Sequence, residues 1–144
     1  TVDRLLILAV VALAASLIAN LLQRWRPNGP MAAAHSIPQY LSRADFDQPD
    51  VPWLGAVFSS EDCATCGPIV AEAYNLADVG VIVQEVRIGS SAGLHRRYSI
   101  DAVPILLIAD ADGRVCAHHL GPATNSELHT LLDHARSLPR PGQS

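Results

Sequence analysis

A chain of 144 residues, 49% of them hydrophobic, suits one compact domain with an appendage and is too short for two. Three cysteines cannot close a disulfide framework, which excludes the stapled small secreted folds. The net charge of −4 leaves no basic footprint for nucleic acid, so no nucleic-acid partner is expected.

Leu5 to Leu22 is a nearly continuous run of Leu, Ile, Val and Ala, broken by Ser16 and Asn20. As a helix, about 18 residues rise ~27 Å, close to the hydrocarbon thickness of a bilayer. Trp25 follows between Arg24 and Arg26, an indole beside guanidiniums that suits the headgroup level. The rival is a cleaved signal peptide. The run is long for that, and it leads into Gln-Arg-Trp-Arg where a small-residue cleavage site would stand. A retained single-pass anchor is therefore expected. Two arginines follow the span and one precedes it, which by the positive-inside rule leans toward a cytoplasmic domain.

Pro27 to Pro38 has little periodicity and reads as a tether. Trp53 to Ser59 reads as a strand, and Ala64 to Leu76 carries Ile69, Val70, Ala73 and Leu76 at helical spacing. Val81 to Ile88 is strand-like. Ser90 or Ser91 can cap a short helix through Leu94 to Tyr98. Ile105 to Ile108 is an apolar strand, Asp110 to Gly113 a turn, and Val115 to Leu120 the returning strand of a hairpin. Asn125 or Ser126 can cap a last helix with Leu128, Leu131, Leu132 and Ala135 on one face. The order strand, helix, strand, helix, hairpin, helix gives an α/β fold with a mixed sheet and helices on both faces. The expected organisation is an anchor over 1–24, a linker over 25–37, a domain over 38–138 and a tail over 139–144.

Cys63-Ala64-Thr65-Cys66 falls where the first strand gives way to a helix. A cysteine at a helix N-terminus meets the dipole and free N–H groups, which favour thiolate. A second cysteine three residues on can attack the first once it is linked to a substrate, the minimal machinery for moving a disulfide. The bland alternative is a disulfide that braces the fold. Glu61 and Asp62 oppose thiolate formation at Cys63 by like charge.

With these residues in view, the chain from about Pro38 to Ser137 resembles the thioredoxin superfamily. The shared parts come in order: a strand and CxxC, then Ala102-Val103-Pro104, then Asp112-Gly113, then Gly121 before the last helix. The resemblance implies a cis peptide bond at Pro104, packed against the cysteine pair, and a substrate-binding role for the Val103 main chain. It implies Cys63 as the exposed nucleophile, Cys66 as the resolving thiol, and a redox disulfide between them. The chain also departs from thioredoxins proper. Asp62 replaces Trp before the first cysteine, and Ala64-Thr65 replaces Gly-Pro between the two. Val57 stands where a buried Asp accepts the resolving thiol's proton, and Ala71 where a proline kinks the helix.

Cys116 reads as a small buried hydrophobe. His118 shares its strand face by the period of two, and with Cys63 and Cys66 these could form a copper or zinc site, though no regular ligand spacing supports one and no metal is expected. Asp45, Asp47 and Asp50 read as an exposed acidic face.

The expected function is that of a membrane-tethered thiol-disulfide oxidoreductase acting through Cys63 and Cys66. Val103 and Pro104 would contact substrate, and no cofactor is needed because the electrons reside on sulfur. Its partners would be protein disulfides or dithiols near the membrane. The alternative is a thioredoxin-fold binding or copper-handling module of a membrane complex, without turnover.

Overall fold

The computed structural model describes residues 1–24 and 35–141. The chain divides into two units, residues 1–34 and 35–144. In the first, helix α1 (Val2–Arg24) contains an 18-residue window, Val2–Ala19, of mean hydropathy 2.3 with none of it buried. This is one N-terminal helix long and apolar enough to cross a membrane. Trp25, Arg26 and most of the expected linker lie outside the described residues, as does the end of the expected tail.

The second unit is built on four strands: β1 (Trp53–Ser59), β2 (Val81–Arg87), β3 (Ile105–Ala109) and β4 (Val115–Leu120). Their order across the sheet is β2-β1-β3-β4. β1 pairs parallel with β2 and antiparallel with β3, and β3 pairs antiparallel with β4, so the sheet is mixed as expected. Parallel pairing of β1 and β2 requires a crossover, and helix α2 (Cys66–Tyr74) supplies it. Helix α3 (Ile88–Arg97) follows β2, and helix α4 (Asn125–Ser137) closes the unit.

Both faces of the sheet are covered, which is why every residue of β1 is buried. On one face Val57, Val83, Leu106 and Ile108 pack with Ile69 and Ala73 of α2 and Leu128, Leu132 and Ala135 of α4. On the other, Leu54, Ala56, Phe58 and Leu107 pack with Leu41, Phe46 and Tyr98. The segment before β1 thus supplies core. It is tied to the hairpin by Leu41 N–H donating to the Gly113 carbonyl at 2.7 Å and Val115 N–H to the Gln39 carbonyl at 2.8 Å. Gly113 has φ of +85°, and a Cβ there would collide with the Leu41 carbonyl, so both backbone conformation and space require glycine.

Several local expectations change. α3 starts earlier than expected, at Ile88 and with no side-chain cap, and a non-helical Ser91 (φ −136°, ψ 37°) divides it, so that its second part follows the serine from which the helix was expected. α4 is capped by Thr124, not Asn125 or Ser126, because only Thr124 has a glutamate three residues on. Its hydroxyl accepts from Glu127 N–H at 3.3 Å, and the Glu127 carboxylate accepts from Thr124 N–H at 2.7 Å. Asp45 is not a free surface acid: it accepts from the Tyr98 hydroxyl and pairs with Arg97 at 2.9 Å. A bulge at Cys116 breaks the strand alternation expected to align it with His118, since Val115 pairs with Ala109 and Ala117 with Ile108.

Candidate functional site

β1 ends at Ser59, and the chain turns through Ser60, Glu61 and Asp62 before the cysteines. The turn is local chemistry: the Ser60 hydroxyl accepts from Asp62 N–H at 3.2 Å, and the Ser60 carbonyl accepts from Cys63 N–H at 3.3 Å. A second turn closes through Cys66 N–H donating to the Cys63 carbonyl at 3.4 Å. α2 then begins at Cys66 with Thr65 as its N-cap residue. Cys66 therefore occupies the first helical position and Cys63 lies just before the cap, slightly outside the helix terminus expected for it.

The two sulfurs are joined as a disulfide, with Cα atoms 5.5 Å apart, an ordinary separation for such a bridge. Their surroundings differ. Cys66 is 3% exposed, while Cys63 is half-buried and its Sγ lies 3.7 Å from the Thr65 hydroxyl. The pair borders a cleft of about 530 Å³ also lined by Ser60, Glu61, Glu85 and Arg87.

Glu85 is the functional candidate that sequence reasoning missed. The parallel register pairs it with Val57, so its side chain joins the α2 face of the sheet, where Val81 and Val83 precede it. Its Oε1 accepts from the Ser59 hydroxyl at 2.5 Å, and its carboxylate pairs with Arg87 at 3.3 Å. The signal in the sequence is the break in period two: a carboxylate occupies the third inward position of a valine-rich strand.

The Val103–Pro104 peptide bond is cis. Phe58 of β1 pairs with Ile105 of β3, so Pro104, one step earlier, stands at the end of the sheet where β1 departs for the cysteines. Its carbonyl accepts from Gly121 N–H at 2.8 Å, and Gly121 has φ of +91°, which ties the start of β3 to the end of β4.

Cys116 lies elsewhere. It follows Val115, which pairs with Ala109, and Ala109 pairs with Leu54 near the start of β1. Cys116 thus sits at the opposite end of the sheet from Cys63, and the sequence's sulfur and imidazole candidates are not assembled into one cluster. Its thiol is pushed up from the ordinary cysteine range by burial and then by the charge of Asp110, so it is a poor nucleophile at neutral pH. Among the described residues no group of three or more His, Cys, Asp or Glu side chains is placed to hold a metal.

No family model matches the chain, and no curated protein matches it. Among solved structures, the chain is similar to one described as "Structure of a malarial protein", with a TM-score of 0.51 and 14% identity over 57% of this chain and 94% of that one. That likeness concerns the fold alone. The mixed sheet, its helices and the Cys63–Cys66 pair are compatible with a thioredoxin-like fold.

Proposed function

We propose that the second unit belongs to the thioredoxin superfamily and catalyses thiol-disulfide exchange with partner proteins through Cys63 and Cys66. The observation that carries this reading is the asymmetry of the pair at the rim of one cleft: Cys63 is half-buried, Cys66 is buried at the first helical position. In the reduced state, Cys63 thiolate attacks a partner disulfide, forming a mixed disulfide and releasing one partner thiolate. Cys66, as thiolate, then attacks the Cys63 sulfur and releases the second. Two electrons pass to the partner and the internal disulfide forms. Run in reverse, the same steps oxidise a partner dithiol; the direction depends on the pair's potential against its compartment.

Thr65 supports the role of Cys63, because its hydroxyl can donate to a Cys63 thiolate. The substrate backbone would run beside Val103 and Pro104, at the end of the sheet from which the cysteines project. The helix Val2–Arg24 would serve as a retained single-pass anchor, raising the effective concentration of the domain near membrane partners.

The test is catalysed reduction of insulin disulfides by dithiothreitol, with the intact chain in detergent. Wild type should accelerate it, and Cys63→Ala should abolish the acceleration. A wild-type rate equal to that of dithiothreitol alone would refute the reading.

A further inference from the structure

Resolution of a mixed disulfide needs the Cys66 proton removed, yet Cys66 is 3% exposed and capped by no basic side chain. Val57 of β1, on the sheet face that α2 covers, is fully buried and cannot take a proton. Its register partner can: Glu85 lies alongside it on the edge strand β2 and lines the same cleft as Cys66. A carboxylate at an inward position beside valines needs a reason, because desolvating it is costly unless it is bonded. Here it is held by the Ser59 hydroxyl and Arg87, both of which leave it facing the cleft.

Resting on the exchange reading, we propose that Glu85 is the proton-transfer residue for Cys66, acting through a water in the cleft. When the mixed disulfide is on Cys63, the Cys66 thiol proton passes to the Glu85 carboxylate. The Cys66 thiolate attacks the Cys63 sulfur, the mixed S–S bond breaks, and the departing partner thiolate takes the proton back. In the reverse direction, a partner thiolate opens the internal disulfide at Cys63, and Glu85 in its acid form protonates the expelled Cys66 thiolate. The groups around Glu85 are Arg87 on its own strand, Ser59 on β1, the Tyr74 hydroxyl of α2, which accepts from the Glu85 N–H, and, lining the same cleft, Cys66 of α2 with Cys63 and Glu61 of the preceding loop. Arg87 pairs with the carboxylate, and the Ser59 hydroxyl fixes its direction.

The test uses the reduced full-length chain carrying Cys116→Ala, mixed with a limiting amount of Ellman's reagent. The first release of thionitrobenzoate reports attack by Cys63, and the second reports resolution by Cys66. Glu85→Gln retains an oxygen for the Ser59 hydroxyl but accepts no proton. It should leave the first phase within about twofold and slow the second about tenfold at pH 7. The slowdown should shrink as pH rises, because hydroxide then competes with the carboxylate as proton acceptor. Ser59→Ala, which releases the carboxylate, should slow the second phase at pH 7 by a smaller factor, and it decides the matter if Glu85→Gln does not fold. A second phase unchanged at pH 7 in the folded variant, or slowed equally at every pH, would overturn the proposal for Glu85. A wild type that releases no second thionitrobenzoate would instead overturn the exchange reading itself.

Discussion

Cys63 and Cys66 share one disulfide and border one cleft but differ in exposure, Cys63 being half-buried before the cap and Cys66 3% exposed in the first turn of α2. On the proposed exchange reading, the difference fits two roles. A sulfur that must meet a partner has to be reachable, and a sulfur that attacks only its neighbour is protected by burial from competing reagents. Only Cys63 should form adducts with bulky disulfides, and only when the bridge is reduced.

The third cysteine should behave differently. Burial and Asp110 raise the Cys116 thiol above the ordinary range, so little of it is thiolate at neutral pH. Limited iodoacetamide treatment of the reduced chain at pH 7 should modify Cys63 at least about tenfold faster than Cys116, as read by peptide mass mapping. Cys116→Ala should leave insulin reduction unchanged. Equal labelling of the two thiols would contradict the assignment.

Tyr98 closes one side of the fold by accepting from Ser42 N–H at 2.9 Å and donating to Asp45. Tyr98→Phe leaves the Ser42 N–H without its acceptor and Asp45 with Arg97 alone, and should cost about 1–3 kcal/mol in urea unfolding. Burial first, and then the bond to Asp45, push the phenol's ionisation up. The folded state therefore holds this proton more tightly than the unfolded chain, whose tyrosines ionise near about 10. Its contribution is complete below that pH and is lost as pH rises through the folded value. Alkaline destabilisation above about pH 10 should accordingly be weaker in Tyr98→Phe than in wild type.

The α4 cap makes the opposite pH prediction. Glu127 is held below its ordinary range first by the backbone N–H of Thr124 and then by its hydroxyl. Its stabilisation is present above the unfolded carboxyl value of about 4.3 and is lost as pH falls through the lower folded value. The melting temperatures of wild type and Glu127→Gln should differ at pH 6 and converge toward pH 2. Thr124→Ala, which removes the other half of the reciprocal pair, should cost about 1 kcal/mol at neutral pH.

These cases show what was legible in the chain. The four strands and the crossover could be read because their apolar runs are short, β-branched and punctuated by glycine, proline and aspartate. The cap of α4 was misplaced at Asn125 or Ser126, although Thr124-Asn125-Ser126-Glu127 has capping-box spacing from its first residue only. The start of α3 was not, because Arg87 precedes it with no side-chain cap. Asp45 looked like a surface acid because its partner Tyr98 is 53 residues away. Glu85 stayed hidden for a related reason. Its inward position could be read from the period-two break after Val81 and Val83, but its pairing with Val57 comes from parallel strand register, which no local pattern encodes.

Orientation is tested on cells. On the anchor reading proposed above, the positive-inside rule applied to Arg4, Arg24 and Arg26 leads us to propose a cytoplasmic second unit. After reduction with a permeant phosphine, a membrane-impermeant maleimide applied to intact cells should leave Cys63 unmodified, whereas a permeant maleimide should reach it. Labelling by the impermeant reagent would place the unit on the outer side.

The exchange role of the pair is tested most directly by Cys66→Ala in the full-length chain expressed in membranes. Without the resolving thiol, Cys63 should stay attached to its partners, giving bands on non-reducing gels that disappear with dithiothreitol and are absent from Cys63→Ala/Cys66→Ala. A Cys66→Ala chain that runs only as free monomer, as the double variant does, would contradict a disulfide-exchange function for Cys63 and Cys66.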